Sequence, residues 1–276
     1  MMGKKALAIA WVIFTLGICI FCVFNLGRYG GQENLGQPRS TTWNYGDRGP
    51  SLWGNLDPRF AQCAVGQHQS PVDLIPEQQK PKKPLETIRW DYQPGFGIAK
   101  DQGTTLQIKP AAGNNLHVGE AIYPLRQIHF HYPSEHLIGG ERYAMEIHFV
   151  HQDAEGGVVV LGVMVEVGEN NASFGHLLQR WPKARQRKGT VIYLDLRELL
   201  PQDLSPGNFF RQDAYFRYLG SLTTPPCSEG VQWLVLTRPL TFSDEQIVQY
   251  GAHHPPNARP IQKWQAHGMK DISANS

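Results

Sequence analysis

An excess of charge of either sign is missing from this 276-residue chain. Its 26 Lys and Arg against 24 Asp and Glu leave a formal net charge of +2, too little to mark a nucleic-acid partner. Cysteine is scarce as well. Of four, Cys19 and Cys22 lie in an apolar N-terminal run, so the remainder keeps only Cys63 and Cys227. There is no internal repeat, and no stretch after residue 30 sustains a helical period. Glycine (28) and proline (20) instead supply turn signals throughout. Together these absences favour a single β-rich domain.

The N-terminus reads differently. Lys4 and Lys5 precede an uncharged, mostly apolar run from Ala6 to Gly27, long enough to span a bilayer as a helix. Lysines ahead of such a run favour a cytoplasmic N-terminus and an exported remainder. A cleaved signal peptide has a shorter apolar core and an Ala-x-Ala-like site, and no such site stands out. Neither Cys19 nor Cys22 follows the small residues of a lipoprotein site. Residues 1–27 are therefore expected to be a signal anchor, with a cleaved signal peptide as the alternative. Residues 28–40, rich in Gly, Gln and Ser, read as a tether. The main domain is expected over 41–270, with a tail at 271–276. Its expected location is the periplasmic or extracellular side of the cytoplasmic membrane, attached through residues 6–27; cleavage would make it secreted and soluble. Asn171-Ala-Ser173 matches a glycosylation sequon, read here as a chance occurrence.

Three histidines carry the chemical signal. His129 and His131 sit in Arg126-Gln-Ile-His-Phe-His-Tyr132, and His148 sits in Ala144-Met-Glu-Ile-His-Phe-Val150. Both segments alternate polar with apolar residues and are rich in β-branched and aromatic side chains, as strands are. A strand repeats every two residues, so His129 and His131 share a face, and so do Glu146 and His148. Paired side by side, the strands gather three imidazoles around one point. Three neutral nitrogens with an open fourth position make the ligand set of a catalytic zinc. A lone His-x-His is usually a surface pair or a satisfied core pair. The third histidine, and carboxamide or carboxylate partners two residues earlier (Gln127 and Glu146), favour the metal.

Further downstream, Ser221-Leu-Thr-Thr-Pro-Pro-Cys-Ser-Glu-Gly230 lies between strand-like Ala214–Leu219 and Val231–Leu236. Pro225-Pro226 forbids regular ladder pairing there. With this segment on the page, the chain resembles the α-class carbonic anhydrases, its bacterial exported members above all. The matching pieces are Gln69-Ser-Pro-Val72, Gln127-Ile-His-Phe-His131, Pro133-Ser-Glu-His136, Glu146-Ile-His-Phe-Val-His151, Val160-Leu-Gly162, Leu222-Thr-Thr-Pro-Pro226 and Asn257-Ala-Arg-Pro260. They occur in the family's order over roughly residues 41 to 265.

The resemblance implies a mainly β (α+β) single domain. Its core is a large twisted, mostly antiparallel central sheet with short peripheral helices. It implies a zinc lyase that hydrates carbon dioxide reversibly to bicarbonate through zinc-bound hydroxide, with Zn2+ on His129, His131 and His148. It assigns Thr223 to accept the hydroxide's proton while donating its own to Glu135, and Thr224 to position substrate or product. Gln127, Glu146 and the backbone carbonyl of Asn257 are to orient His129, His148 and His131. Val150, Val160, Leu222, Val231 and Trp233 are to form an apolar wall. Exported members link the positions of Cys63 and Cys227 by a disulfide.

One departure bears on rate. Thr104 in Asp101-Gln-Gly-Thr-Thr-Leu106 stands where fast members carry a proton-shuttling histidine, and a hydroxyl does not titrate near neutral pH. His68 is the candidate substitute, and Tyr45 a member of the water chain. Two rival readings are a catalytically silent surface binding domain and a zinc hydrolase acting on esters. Silent relatives usually lack a zinc histidine, and this chain keeps all three.

Overall fold

The computed structural model describes residues 42–76, 86–182, 188–201, 209–210 and 214–263. The apolar run 6–27, the tether 28–40 and the tail 271–276 lie outside the described residues. Among those described, no helix is long and apolar enough to cross a membrane.

The first strands are β1 (Asp73–Leu74), β2 (Ile88–Asp91), β3 (Gly95–Asp101), β4 (Leu106–Pro110) and β5 (Asn115–Val118). The central ones are β6 (Ala121–His131), β7 (Leu137–Ile138), β8 (Met145–Gln152) and β9 (Val158–Val167). The last are β10 (Thr190–Leu194), β11 (Phe209–Phe210), β12 (Tyr215–Ser221), β13 (Glu229–Leu236) and β14 (Leu240–Phe242). Eight of them neighbour one another in the order β10-β3-β4-β6-β8-β9-β13-β12. Within this sheet the pairings are antiparallel except those of β13 and β14 with β9. The sheet is thus mostly antiparallel, as expected, but locally mixed at β9.

Alternation divides the apolar residues between the two faces. Ile128, Phe130, Ile147, Phe149, Leu161 and Val163 face a large core covered by helices. Val160, Met164, Val231, Trp233 and Val235 face a second, smaller core. β9, an almost unbroken run of Val, Leu and Met, is buried on both faces, which is why it reads without clear alternation. His129, His148 and Gly162 lie on the same face as the smaller core.

The helices are short: α1 (Trp53–Leu56), α2 (Gln62–Val65), α3 (Ala172–Gln179) and α4 (Asp244–His253). α4 begins with a capping box in which the Ser243 side chain accepts from Gln246 N–H and the Gln246 side chain returns to Ser243 N–H. Asn171 caps α3 by accepting from Phe174 N–H, and its amide donates to Glu198 O. That side chain is buried, with both its oxygen and its amide engaged.

Cys63 and Cys227 form a disulfide with Cα atoms 5.0 Å apart, closing 164 residues. It ties α2 to the Thr-Thr-Pro-Pro loop between β12 and β13.

Candidate metal centre

β6 and β8 pair with His129 opposite His148 and His131 opposite Glu146. Opposed residues of an antiparallel pair share a face. The three imidazoles therefore project together, with ring centroids 5.0 Å (His129–His131), 5.0 Å (His129–His148) and 4.6 Å (His131–His148) apart. His131 and His148 are buried and His129 is half-buried, so the cluster's most accessible member is His129.

Each ring has one nitrogen committed elsewhere. His129 Nδ1 donates to Gln127 Oε1 at 2.9 Å, His131 Nδ1 to Asn257 O at 2.8 Å, and His148 Nε2 to Glu146 Oε1 at 2.7 Å. These acceptors select the tautomers, leaving His129 Nε2, His131 Nε2 and His148 Nδ1 unprotonated and facing one another. Burial, reinforced by mutual repulsion, holds His129 well below the usual histidine value. Burial carries His131 down to about 4 against the opposing pull of its bond to Asn257, and lowers His148 against the pull of Glu146. All three are neutral at pH 7, the state in which they can bind a cation.

Two observations test the fit of a metal. His131 Nε2 is buried without a hydrogen-bond partner. His148 Nδ1 lies 3.3 Å from His129 Nε2. A tetrahedral zinc with Zn–N bonds of about 2.0–2.1 Å separates its nitrogen ligands by about 3.3–3.4 Å. Lone pairs that repel across this gap would instead converge on a cation, so the residues fit one.

Glu146 is a fully buried carboxylate saturated by four donors. Oε1 accepts from His148 Nε2 and His136 Nδ1, both at 2.7 Å; Oε2 accepts from Glu135 N at 2.8 Å and His136 N at 2.9 Å. Burial alone would raise its pKa, but His136 and His148 outweigh it and hold the group well below the carboxylate range. His136, Glu146 and His148 could also be grouped as metal ligands. Their close hydrogen bonds identify a hub instead. With Nδ1–H spent on Glu146, His136 Nε2 accepts from Tyr218 OH at 2.6 Å, and Tyr218 OH meets Ser70 Oγ at 2.8 Å.

Glu135 contrasts with it. Its Oε1 accepts from Arg259 N at 2.8 Å and it takes the Thr223 hydroxyl, while Oε2 lies unpartnered 3.3 Å from His131 Nε2. Burial pushes this carboxyl up to about 7. The Arg259 guanidinium lies beneath, donating to Gln69 Oε1 at 2.9 Å, Ser70 O at 2.7 Å and Cys63 O at 3.1 Å.

The other expected site residues fall into groups. Val160, Val231 and Trp233 join one apolar cluster, with Val150 and Leu222 packed against it, and the Trp233 ring lies 4.8 Å from His148. Thr224 is half-buried in its loop and accepts from Cys227 N at 2.8 Å. Tyr45 is close enough to Glu135 for that charge to raise its own pKa, burial contributing most. Thr104 O accepts from Asn257 Nδ2 at 2.8 Å. Among the described residues His68 makes no hydrogen bond to the histidine cluster; its N–H goes to Glu229 Oε1 at 2.6 Å. Arg259, Ser70 and Tyr218 received no role from the sequence. The first two lie inside matched motifs, which was a usable signal. Tyr218 carried none, being one more aromatic in an alternating strand.

A sheet of this topology with three converging histidines on one face is shared with a known class of enzyme. Residues 48–263 match the family model described as eukaryotic-type carbonic anhydrase. A carbonic anhydrase of Pectobacterium carotovorum is 36% identical over 226 residues, covering 81% of this chain and 88% of the relative. The α-carbonic anhydrase of Thermovibrio ammonificans, solved with the inhibitor sulfanilamide, superposes with a TM-score of 0.71 at 33% identity, covering 82% of this chain and 96% of that one. Dioscorin, solved with ascorbate, has a TM-score of 0.71 at 28% identity, covering 80% and 94%. The chain belongs to the α-class, eukaryotic-type carbonic anhydrase family and is an enzyme of that family.

Glu146→Gln should weaken metal retention by about 10–100-fold, because the substituted amide nitrogen brings a donor into a site built for acceptors. Chelator competition measures this, and retention equal to wild type would contradict the orienting role.

Proposed function

We propose that the protein catalyses the reversible hydration of carbon dioxide to bicarbonate and a proton, with zinc held by His129, His131 and His148. What supports this most is the convergence of three unprotonated imidazole nitrogens whose opposite nitrogens are each spent on a fixed acceptor. Zinc bound there would act as a Lewis acid that brings the pKa of water toward neutrality, an effect for which carbonic anhydrase is itself the standard example.

The chain's residues would supply direction. Gln127, Asn257 and Glu146 hold the rings against rotation and fix their tautomers. Thr223 donates its hydroxyl hydrogen bond to Glu135, so its oxygen is left as an acceptor. A reacting water that donates to that oxygen has a lone pair turned toward the substrate. Glu135 must be ionised for this; a nearby divalent charge pulls a buried carboxyl's pKa downward. Thr224, one residue on, would hold substrate or product. Val150, Val160, Leu222, Val231 and Trp233 present an apolar surface to carbon dioxide, a small nonpolar molecule. Dioscorin's similarity in fold, with ascorbate bound, means that activity has to be argued from these side chains.

We read the protein as exported, from Lys4-Lys5 ahead of the apolar run 6–27 and from the disulfide, which suits an oxidising compartment. Attachment to the cytoplasmic membrane through that run is the form expected.

Stopped-flow hydration of carbon dioxide by the zinc-loaded protein should be fast. Thr223→Ala should keep its zinc and lose on the order of 100-fold in kcat, the usual cost of one oriented hydrogen-bonding group. Loss of metal instead would make Thr223 structural.

Proton release should limit the maximal rate, because Thr104 has no pKa near neutrality. Small imidazole buffers should raise kcat while leaving kcat/KM nearly unchanged, and Thr104→His should raise kcat and reduce the buffer effect. A kcat already indifferent to buffer would point to another carrier, with His68 the first to mutate.

Cell fractionation should recover the protein with membranes, its segment 6–27 intact and Cys63 and Cys227 without free thiols. A soluble form beginning after Gly27 would show cleavage, and free thiols would contradict the oxidised state.

A further inference from the structure

The turn that carries Thr104 is held from two sides by one short stretch of chain. Residues Asp101 to Thr105 link β3 to β4, closed by Gln102 N–H to Thr105 O at 2.9 Å and by Gly103 N–H to Asp101 Oδ1 at 2.8 Å. Gly103 has φ +80°, a conformation suited to glycine. At the crown, Asn257 Nδ2 donates to Thr104 O. At the base, the two oxygens of Asp101 face two ring nitrogens: Trp181 Nε1 reaches Oδ2 at 3.4 Å, and His254 Nε2 lies 3.5 Å from Oδ1. The latter is ion-pair reach rather than a formed hydrogen bond, and His254 Nε2 has no hydrogen-bond partner.

His254 is 2% exposed, at the C-terminal end of α4, with its N–H on Tyr250 O at 3.1 Å. A buried imidazole nitrogen left unsatisfied is costly, and Asp101 Oδ1 is the acceptor nearest to it. The groups around it are Asp101 from the turn, Trp181, and Tyr250 and His253 from α4; His253 stacks on Trp181 with centroids 4.1 Å apart. Three residues after His254 comes Asn257, whose carbonyl accepts from His131 Nδ1. One segment, 254–257, thus grips the turn at both ends and a candidate metal ligand in between.

We propose that the buried His254, with the half-buried Asp101 and Trp181, forms a clamp that seats segment 254–257 against the turn and thereby fixes Asn257 O on His131. His254 and Asp101 are positioning residues, not catalytic ones. The proposal rests on the zinc reading of the histidine cluster. The competing arrangement is that β6 and Tyr132, the residue after it, alone hold Asn257, which also exchanges bonds with Tyr132 N–H and O and with Phe130 O.

The test compares His254→Leu, which removes the ring nitrogen, with His254→Gln, whose amide nitrogen stands about where Nε2 stood. Zinc-loaded full-length proteins are challenged with chelator, and cobalt-substituted proteins are read by visible absorption. His254→Leu should release zinc about tenfold faster, the low end of the effect of losing a ligand's own partner, and should alter the cobalt spectrum. His254→Gln should restore both readouts. Asp101→Asn, which keeps the side chain's size but turns an N–H toward the donors, should repeat the His254→Leu behaviour and serves if that variant fails to fold. Wild-type zinc release and spectrum in His254→Leu or Asp101→Asn would overturn the clamp while leaving the zinc reading intact. A wild-type protein that retains no zinc would overturn both.

Discussion

The register of β6 on β8 is the constraint on which the site depends. His129 lies opposite His148, and His131 opposite Glu146. A slip of one residue would turn every histidine into the helix-covered core and every phenylalanine out of it. That core fixes the register. Ile128, Phe130, Ile147 and Phe149 are fully buried on the opposite face, so any shift that moves the histidines also exposes large apolar side chains. Such a side chain is worth about 1.5–3 kcal/mol of burial each. β4 and β9, on either side of the pair, leave it no free edge in which to slide. The arrangement of the three histidines is thus maintained by the packing of residues that never touch them.

Two buried carboxylates show how the same sheet makes opposite electrostatic environments. Glu146 has four donors and two histidines about it and stays ionised despite burial. Glu135, with one oxygen unpartnered beside His131, is pushed up to about 7. The first is a fixed acceptor for a ring N–H. The second is sensitive to any charge introduced among the histidines, which suits the role proposed for it of directing the hydroxyl of Thr223. Distant segments converge on this second carboxylate. Arg259 donates its backbone N–H to Glu135, and its guanidinium holds Cys63, Gln69 and Ser70. The disulfide carries Cys63 on to Cys227, four residues beyond Thr223. Burial lowers the Arg259 pKa to about 10, so it remains charged at neutral pH.

Much of this was legible before any coordinates. The period of two placed His129 with His131 and Glu146 with His148. The motifs Gln127–His131, Glu146–His151 and Leu222–Pro226 carried the family resemblance. Gly-rich, Pro-rich punctuation without helical period implied a β-rich domain. α4 lies outside what was expected individually, and its capping box Ser243-Asp-Glu-Gln246 emerges only with the structure. β9 defeats alternation because both its faces are covered.

What the sequence by itself determined was which residue types alternate on which strands, because side-chain direction follows from local backbone geometry. It could not say that His136 and His148 share one oxygen of Glu146, or that Tyr218 and Ser70 extend that hub. Nor could it bring Asp101 against His254, or Asn257 against Thr104 and His131 at once. These contacts join residues far apart in the chain. Their existence depends on the order of strands in the sheet and on where the loops return, and no local period encodes either. The tertiary structure decided them because buried donors and acceptors must find partners, and only the folded sheet brings those partners within reach.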